Sequence, residues 1–237
     1  QIVNSKNKPS SLIGLTVKGP RVLIILDTSA SMAYSRLVDI IIGIDEKSGN
    51  YLKKGQKWEQ AQNIARWLIT NAPENTKLRS IGFSNKINFV DKSWQSSQAA
   101  LLSFNNHLEK LEPRYGTSIA LPLEHTLNSD INPSDIYLIT DGLPTLSGDL
   151  TPAKAFDKLR MKISGCGSSK SPSALVSGEC RRNLFIQAVD NFQLQSKAVV
   201  NVILLPLEGD PEGAPLYQKW SSQTGGIFLS PSKDWLL

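Results

Sequence analysis

The chain has 237 residues, 40% of them apolar and 20% charged, with a net charge of +5. That length suits one large α/β domain with a substantial core, and the composition is that of an ordinary globular protein. No apolar run is long enough to span a bilayer. The Lys and Arg residues are scattered rather than gathered in a run or an aromatic-interleaved stripe, which argues against a nucleic-acid partner.

In chain order, residues 1–20 are rich in Lys, Asn, Ser, Pro and Gly and read as a leader or linker, with a short edge strand available at Ser11–Val17. Arg21–Asp27 (RVLIILD) follows, a continuous apolar run of the kind shown by parallel strands covered on both faces. An insert at about 34–55 has the pattern of a hairpin with a polar turn. Gln56–Asn71 places apolar residues at 58, 61, 64, 65 and 68, a helical stripe that stops before Pro73. Trp58 and Trp67 are expected to pack there. Lys77–Phe83 and Ile87–Val90 are short strands around Ser-Asn-Lys, a hairpin. Gln95–Leu111 and Thr117–Leu127 are amphipathic helices, and Asp135–Asp141 is a second buried strand.

A second insert, at about 146–180, is irregular apart from one helical piece, Pro152–Ile163. Arg181–Ser196 reads as helix, Ala198–Leu205 as strand, Ala214–Gln223 as helix and Ile227–Leu229 as a last strand. Strands alternating with helices predict an α/β fold: a doubly wound, mostly parallel six-stranded sheet with one antiparallel edge strand and helices on both faces. One domain, over 21–237, is expected.

Chemistry concentrates where strands stop. Asp27 ends the first buried strand and runs on as Asp27-Thr-Ser29-Ala-Ser31; Asp141 ends the second and is followed by Gly142. In extended backbone alternate side chains share a face, so Asp27, Ser29 and Ser31 can converge on one point. If the strand order is the usual one, the Asp141 strand is the neighbour across the crevice, at the switch point where open α/β sheets bind ligands. Gly116 gives the chain freedom to bring the Thr117 hydroxyl in from a third loop. Two carboxylates and three hydroxyls are hard oxygen donors suited to Mg2+, with Mn2+ or Ca2+ as alternatives. Such a set leaves a cation short of ligands, and an incoming carboxylate can replace one of its waters.

Asp27-Thr-Ser-Ala-Ser31, Gly116-Thr117 and Thr140-Asp141-Gly142 together resemble the metal-ion-dependent adhesion site of the von Willebrand factor A (VWA) domain family, over about Arg21 to Leu229. The resemblance implies that Ser29, Ser31 and Thr117 contact the metal while Asp27 and Asp141 balance charge and act through water. It further implies a non-catalytic domain that binds a protein ligand through that ligand's Asp or Glu, in adhesion or assembly; the alternatives are an intracellular VWA adaptor for assembly with an ATPase or other complex, and a VWA fold whose metal site is structural or empty. Tyr115 departs from the family pattern, standing where many members have a second glycine.

Cys166 and Cys180, the only cysteines, bracket a Gly/Ser/Pro-rich loop that cannot bury much apolar surface. A disulfide closing it, worth about 3 kcal/mol, is favoured over two free thiols. It would place the domain in an oxidising, extracytoplasmic compartment. Enzyme signatures are missing: Ser29 stands where an aspartyl phosphotransferase needs its second acid, and neither a nucleophile elbow nor a phosphate-binding glycine loop is present. The two histidines, His107 and His125, fall in predicted helices, where packing or surface roles suit them better than catalysis. The expectation is therefore a binding domain and not an enzyme.

Overall fold

A computed structural model describes residues 15–34, 55–129, 131–147, 166, 176–205 and 211–231. The elements are β1 (Arg21–Asp27), a 3-10 turn (Ala30–Ala33), α1 (Gln56–Thr70), β2 (Lys77–Phe83), β3 (Ile87–Val90), α2 (Ser97–Leu108), α3 (Ala120–Asn128), β4 (Asp135–Thr140), α4 (Gly178–Gln193), β5 (Val199–Leu204), α5 (Gly213–Gln223) and β6 (Phe228–Leu229). The strands form one six-stranded sheet in the order β3-β2-β1-β4-β5-β6. All neighbours are parallel except β2 and β3, so the antiparallel hairpin supplies one edge strand as expected.

Period-two alternation sorts β1 between the two faces. Val22, Ile24 and Leu26 point to one side, with Trp58, Ala61, Ile64, Ala65 and Leu68 of α1 and Ala100 and Phe104 of α2. Leu23 and Ile25 point to the other, with Leu123 of α3, Phe185, Val189 and Phe192 of α4, and Tyr217 and Trp220 of α5. Both faces are thus covered, and every residue of β1 after Arg21 is buried. Trp58 is buried in the first layer and Trp67 packs against its edge.

Several boundaries differ from the sequence reading: the helix expected at Arg181–Ser196 is Gly178–Gln193, that expected at Gln95–Leu111 is Ser97–Leu108, and two further differences bear on the site. The helix expected from Thr117 starts only at Ala120. Backbone bonds hold residues 117 and 118 to other loops instead: Ser118 N donates to Ser84 O (3.0 Å), and Thr117 O accepts from Thr145 N (2.8 Å) and Leu146 N (3.0 Å). At the amino-terminal side, the expected leader lies mostly outside the described residues, but its end joins the core. Leu15 and Val17 are buried in the α1/α2 layer. There Tyr137 Oη donates to Thr16 O (3.2 Å) and accepts from Lys18 N (3.1 Å). The insert hairpin at 34–55 and the helical piece at 152–163 lie outside the described residues, apart from Tyr34 and Gly55.

Candidate functional site

The strand order makes β1 the point where the winding reverses, with β2 on one side and β4 on the other. Leu26 pairs with Ile139, which sets Asp27 level with Thr140 at the carboxyl edge of the sheet. Thr140 Oγ1 donates to Asp27 Oδ2 at 2.7 Å, and Ser29 N donates to Asp27 Oδ1 at 2.8 Å. The chain therefore curls over its own strand end in an Asx-type turn. Both Asp27 oxygens are thus engaged, one by Thr140 and one by the Ser29 backbone.

Beyond it runs a chain of side-chain oxygens. Ser29 Oγ and Ser31 Oγ share a hydrogen bond at 3.0 Å, and Ser31 Oγ donates to Asp141 Oδ1 at 2.9 Å. Asp27, Ser29 and Asp141 are buried, whereas Ser31 is partly open to solvent. The structure thus brings together four of the sequence-predicted residues around one rim. Thr117 lies on a third loop that backbone bonds hold beside the other two. Its loop is tied to the β1 loop by Ala30 N to Tyr115 O (2.9 Å) and Arg114 N to Thr28 O (3.0 Å). It is tied to the β4 loop by Thr117 N to Thr145 Oγ1 at 3.1 Å.

The left-handed residue of this loop is Tyr115, at φ 68°, and not Gly116, to which the sequence reading gave the conformational freedom. The turn is required where the side chain is bulky, so the strain that glycine would avoid is borne by tyrosine.

Two buried carboxylates share the rim. Burial, and then repulsion from Asp141, push the Asp27 carboxyl up to about 7. Such a pair calls for a cation. Among the described residues Lys57 meets that need: its Nζ lies 2.6 Å from Asp141 Oδ2, with both side chains almost wholly buried. Lys57 belongs to the first turn of α1, and the sequence reading missed it. The signal was there: position 57 lies one turn before 61 and continues the stripe at 61, 64 and 68, so a lysine stands on the buried face of an amphipathic helix. Gly55 aims it. A Cβ at Gly55 would sit 2.2 Å from the Ala33 carbonyl oxygen, so the start of α1 lies directly against the 3-10 turn that follows Ser31.

Loops and helices behind the rim fix it further. Tyr217 Oη of α5 donates to Gly142 O (2.9 Å), and Arg181 Nη2 of α4 donates to Leu143 O (2.7 Å). Cys166 and Cys180 form the expected disulfide, which anchors residue 166 to the first turn of α4.

The histidines lie away from this rim. His107 stacks on Phe89 with ring centres 4.6 Å apart, and its Nε2 faces Asp91 Oδ1. Ser103 Oγ donates to that same Asp91 oxygen and lies 3.5 Å from the same Nε2, so serine and carboxylate meet one imidazole nitrogen, whereas a relay would use both. His125, in α3, has its pKa held below the usual value by burial and by Arg79. Among the described residues no cluster of three or more His, Cys, Asp or Glu could hold a metal. Among the described residues the rim has two carboxylates, and a metal held by these residues would rest largely on hydroxyls.

No protein-family profile matches this sequence, and no curated protein does. Its fold does match solved structures. It resembles the conserved hypothetical protein BatB from Bacteroides thetaiotaomicron (17% identity, TM-score 0.51, covering 90% of this chain and 91% of that one). It resembles a von Willebrand factor type A structure from Catenulispora acidiphila (13% identity, TM-score 0.51, 91% of this chain and 39% of that one). It also resembles the SpRpn10 VWA domain (10% identity, TM-score 0.50, 91% and 90%). The fold is that of a VWA domain.

Proposed function

We propose that this domain binds a protein ligand through a divalent cation. Ser29, Ser31 and Thr117 would supply its hydroxyl ligands, Asp27 and Asp141 its charge balance, and a ligand Asp or Glu the last position. The observation that carries this reading is the Ser29–Ser31–Asp141 chain of oxygens beside buried Asp27, at the switch point of the sheet. The donor set fits Mg2+ best, a hard ion that accepts hydroxyls and keeps waters; Mn2+ and Ca2+ accept the same ligands. The bound ion would act as a Lewis acid toward the ligand's carboxylate. The protein's part is to hold the hydroxyls and exclude water behind them.

On this reading the domain is a binding module for adhesion or assembly rather than an enzyme. The disulfide favours an extracytoplasmic setting over an adaptor role inside the cell. No helix of the described residues is long and apolar enough to cross a membrane.

The test is capture of partners from extracts with the immobilised domain, run in parallel in magnesium and in chelator. Partners held only in magnesium, and lost with Ser31→Ala or Thr117→Ala, are the expected result. These hydroxyl variants are better probes than changes at Asp141, which would strand the buried Lys57 charge. Identical capture in chelator would reject the metal mechanism.

A further inference from the structure

Lys57 occupies a place that two physical effects oppose. Burial penalises its charge. The first turn of a helix, where the aligned peptide dipoles put positive charge, penalises it again. It is nevertheless 6% exposed, with its ammonium 2.6 Å from Asp141 Oδ2. The other oxygen of the same carboxylate accepts the Ser31 hydroxyl, which also bonds Ser29. The ammonium thus ends the same chain of groups that would hold a metal.

Gly55 against Ala33 fixes the start of the helix so that Lys57 meets this carboxylate. A lysine serving only to neutralise a stray acid would sit at lower cost on the surface, where its head stays hydrated.

Resting on the metal reading above, we infer that Lys57 is a built-in counter-cation that makes divalent metal binding at this rim weak alone and strong with an acidic ligand. Without Lys57, the two carboxylates neutralise a divalent ion fully. With it, the loaded rim keeps one net positive charge, which a single ligand carboxylate cancels. The ammonium therefore disfavours the metal-only state and favours the step in which an anionic ligand joins it, so the ligand restores the metal affinity that Lys57 takes away.

The test is calorimetric titration of the intact domain with Mn2+ for wild type, Lys57→Met and Lys57→Arg, in chloride and then in acetate at equal ionic strength. In chloride, Lys57→Met should bind Mn2+ at least about tenfold more tightly than wild type, from the charge removed, while Lys57→Arg stays near wild type. Acetate should tighten Mn2+ binding by wild type more than by Lys57→Met. Equal or weaker binding by Lys57→Met, an equal gain from Lys57→Arg, or an acetate effect no larger in wild type would each overturn the inference and leave the metal site standing. Folded protein that binds no Mn2+ in any variant would overturn the metal reading itself. Should Lys57→Met unfold in chelator, refolding on adding Mn2+ supports the inference, and failure to refold overturns it.

Discussion

At Asp27 an acidic group is kept inside the protein by hydrogen bonds from Ser29 and Thr140 while burial and Asp141 work against its charge. The folded chain holds a proton there up to about 7, whereas the unfolded chain releases it near 3.8. Between those values the folded state binds more protons. In chelator, stability from this group is therefore full below about pH 4, falls as the pH rises and levels off above about pH 7. Asp27→Asn should flatten that decline. Urea midpoints measured across this range for both proteins check it, and an unchanged slope in the variant contradicts it.

Tyr115 gives a second prediction at this scale. Replacing it with glycine removes left-handed strain of about 1–2 kcal/mol and adds freedom to the unfolded chain worth a little under that. Tyr115→Gly should thus leave thermal stability unchanged or slightly raised. A drop of several degrees in Tm would show that the exposed ring carries packing of its own.

Asp27, Ser29, Ser31 and Asp141 were legible as neighbours because Asp27 and Asp141 stand where buried strands stop, but the two serines converge through an Asx turn and a 3-10 turn rather than by the extended alternation expected of them. Lys57 was hidden by the habit of reading lysines as solvated. Tyr115 was marked by the glycine that the resembling family carries there, but its own side chain says nothing of the left-handed torsion it adopts.

Helices and strands were legible where periodicity is strong, and their ends shifted where tertiary bonds compete. The start of α3 shows why: Thr117 and Ser118 have helical company in sequence, but their backbone groups are claimed by Ser84, Thr145 and Leu146. The contact between α1 and the 3-10 turn is an element-scale device that sequence cannot show, since Gly55 has ordinary torsions and matters only for what it touches. Gly55→Ala should push α1 away from Ala33 at a cost of about 1–3 kcal/mol, the range for overpacking. Denaturant unfolding would measure the loss; a change within error would mean the contact gives way easily.

On the opposite face, Trp220 of α5 meets Phe185 and Phe192 of α4 edge-on, at 5.9 and 6.4 Å. Trp220→Ala should cost about 3–5 kcal/mol, as large core truncations do. An effect under 1 kcal/mol, by the same measurement, would show the α4/α5 layer to be dispensable.

For the whole molecule, the two-layered core was foreseeable from alternating elements, because parallel strands need crossovers and crossovers cover faces; of the strand order, only the pairing of β1 with β4 was expected, on the condition that the sheet had the usual order. The disulfide was foreseeable from its loop. Its removal, by Cys166→Ala with Cys180→Ala, should lower stability by about 3 kcal/mol on the chain-entropy account. Equilibrium unfolding of the double variant against the oxidised protein decides this, and equal midpoints would refute it.

The central strand has one more consequence, in time rather than space. Thr140, which bonds Asp27, lies 113 residues further along the chain. At ribosomal speeds of about 5–20 residues per second, β1 waits roughly 6–23 seconds after its own synthesis for that neighbour. During the wait its Val-Leu-Ile-Ile-Leu stretch has one edge open, a sticky template for other nascent chains. Stalled translation intermediates ending before Asp141 should accordingly engage holding chaperones and be cut readily within β1. Those long enough to release β4 from the exit tunnel should escape both.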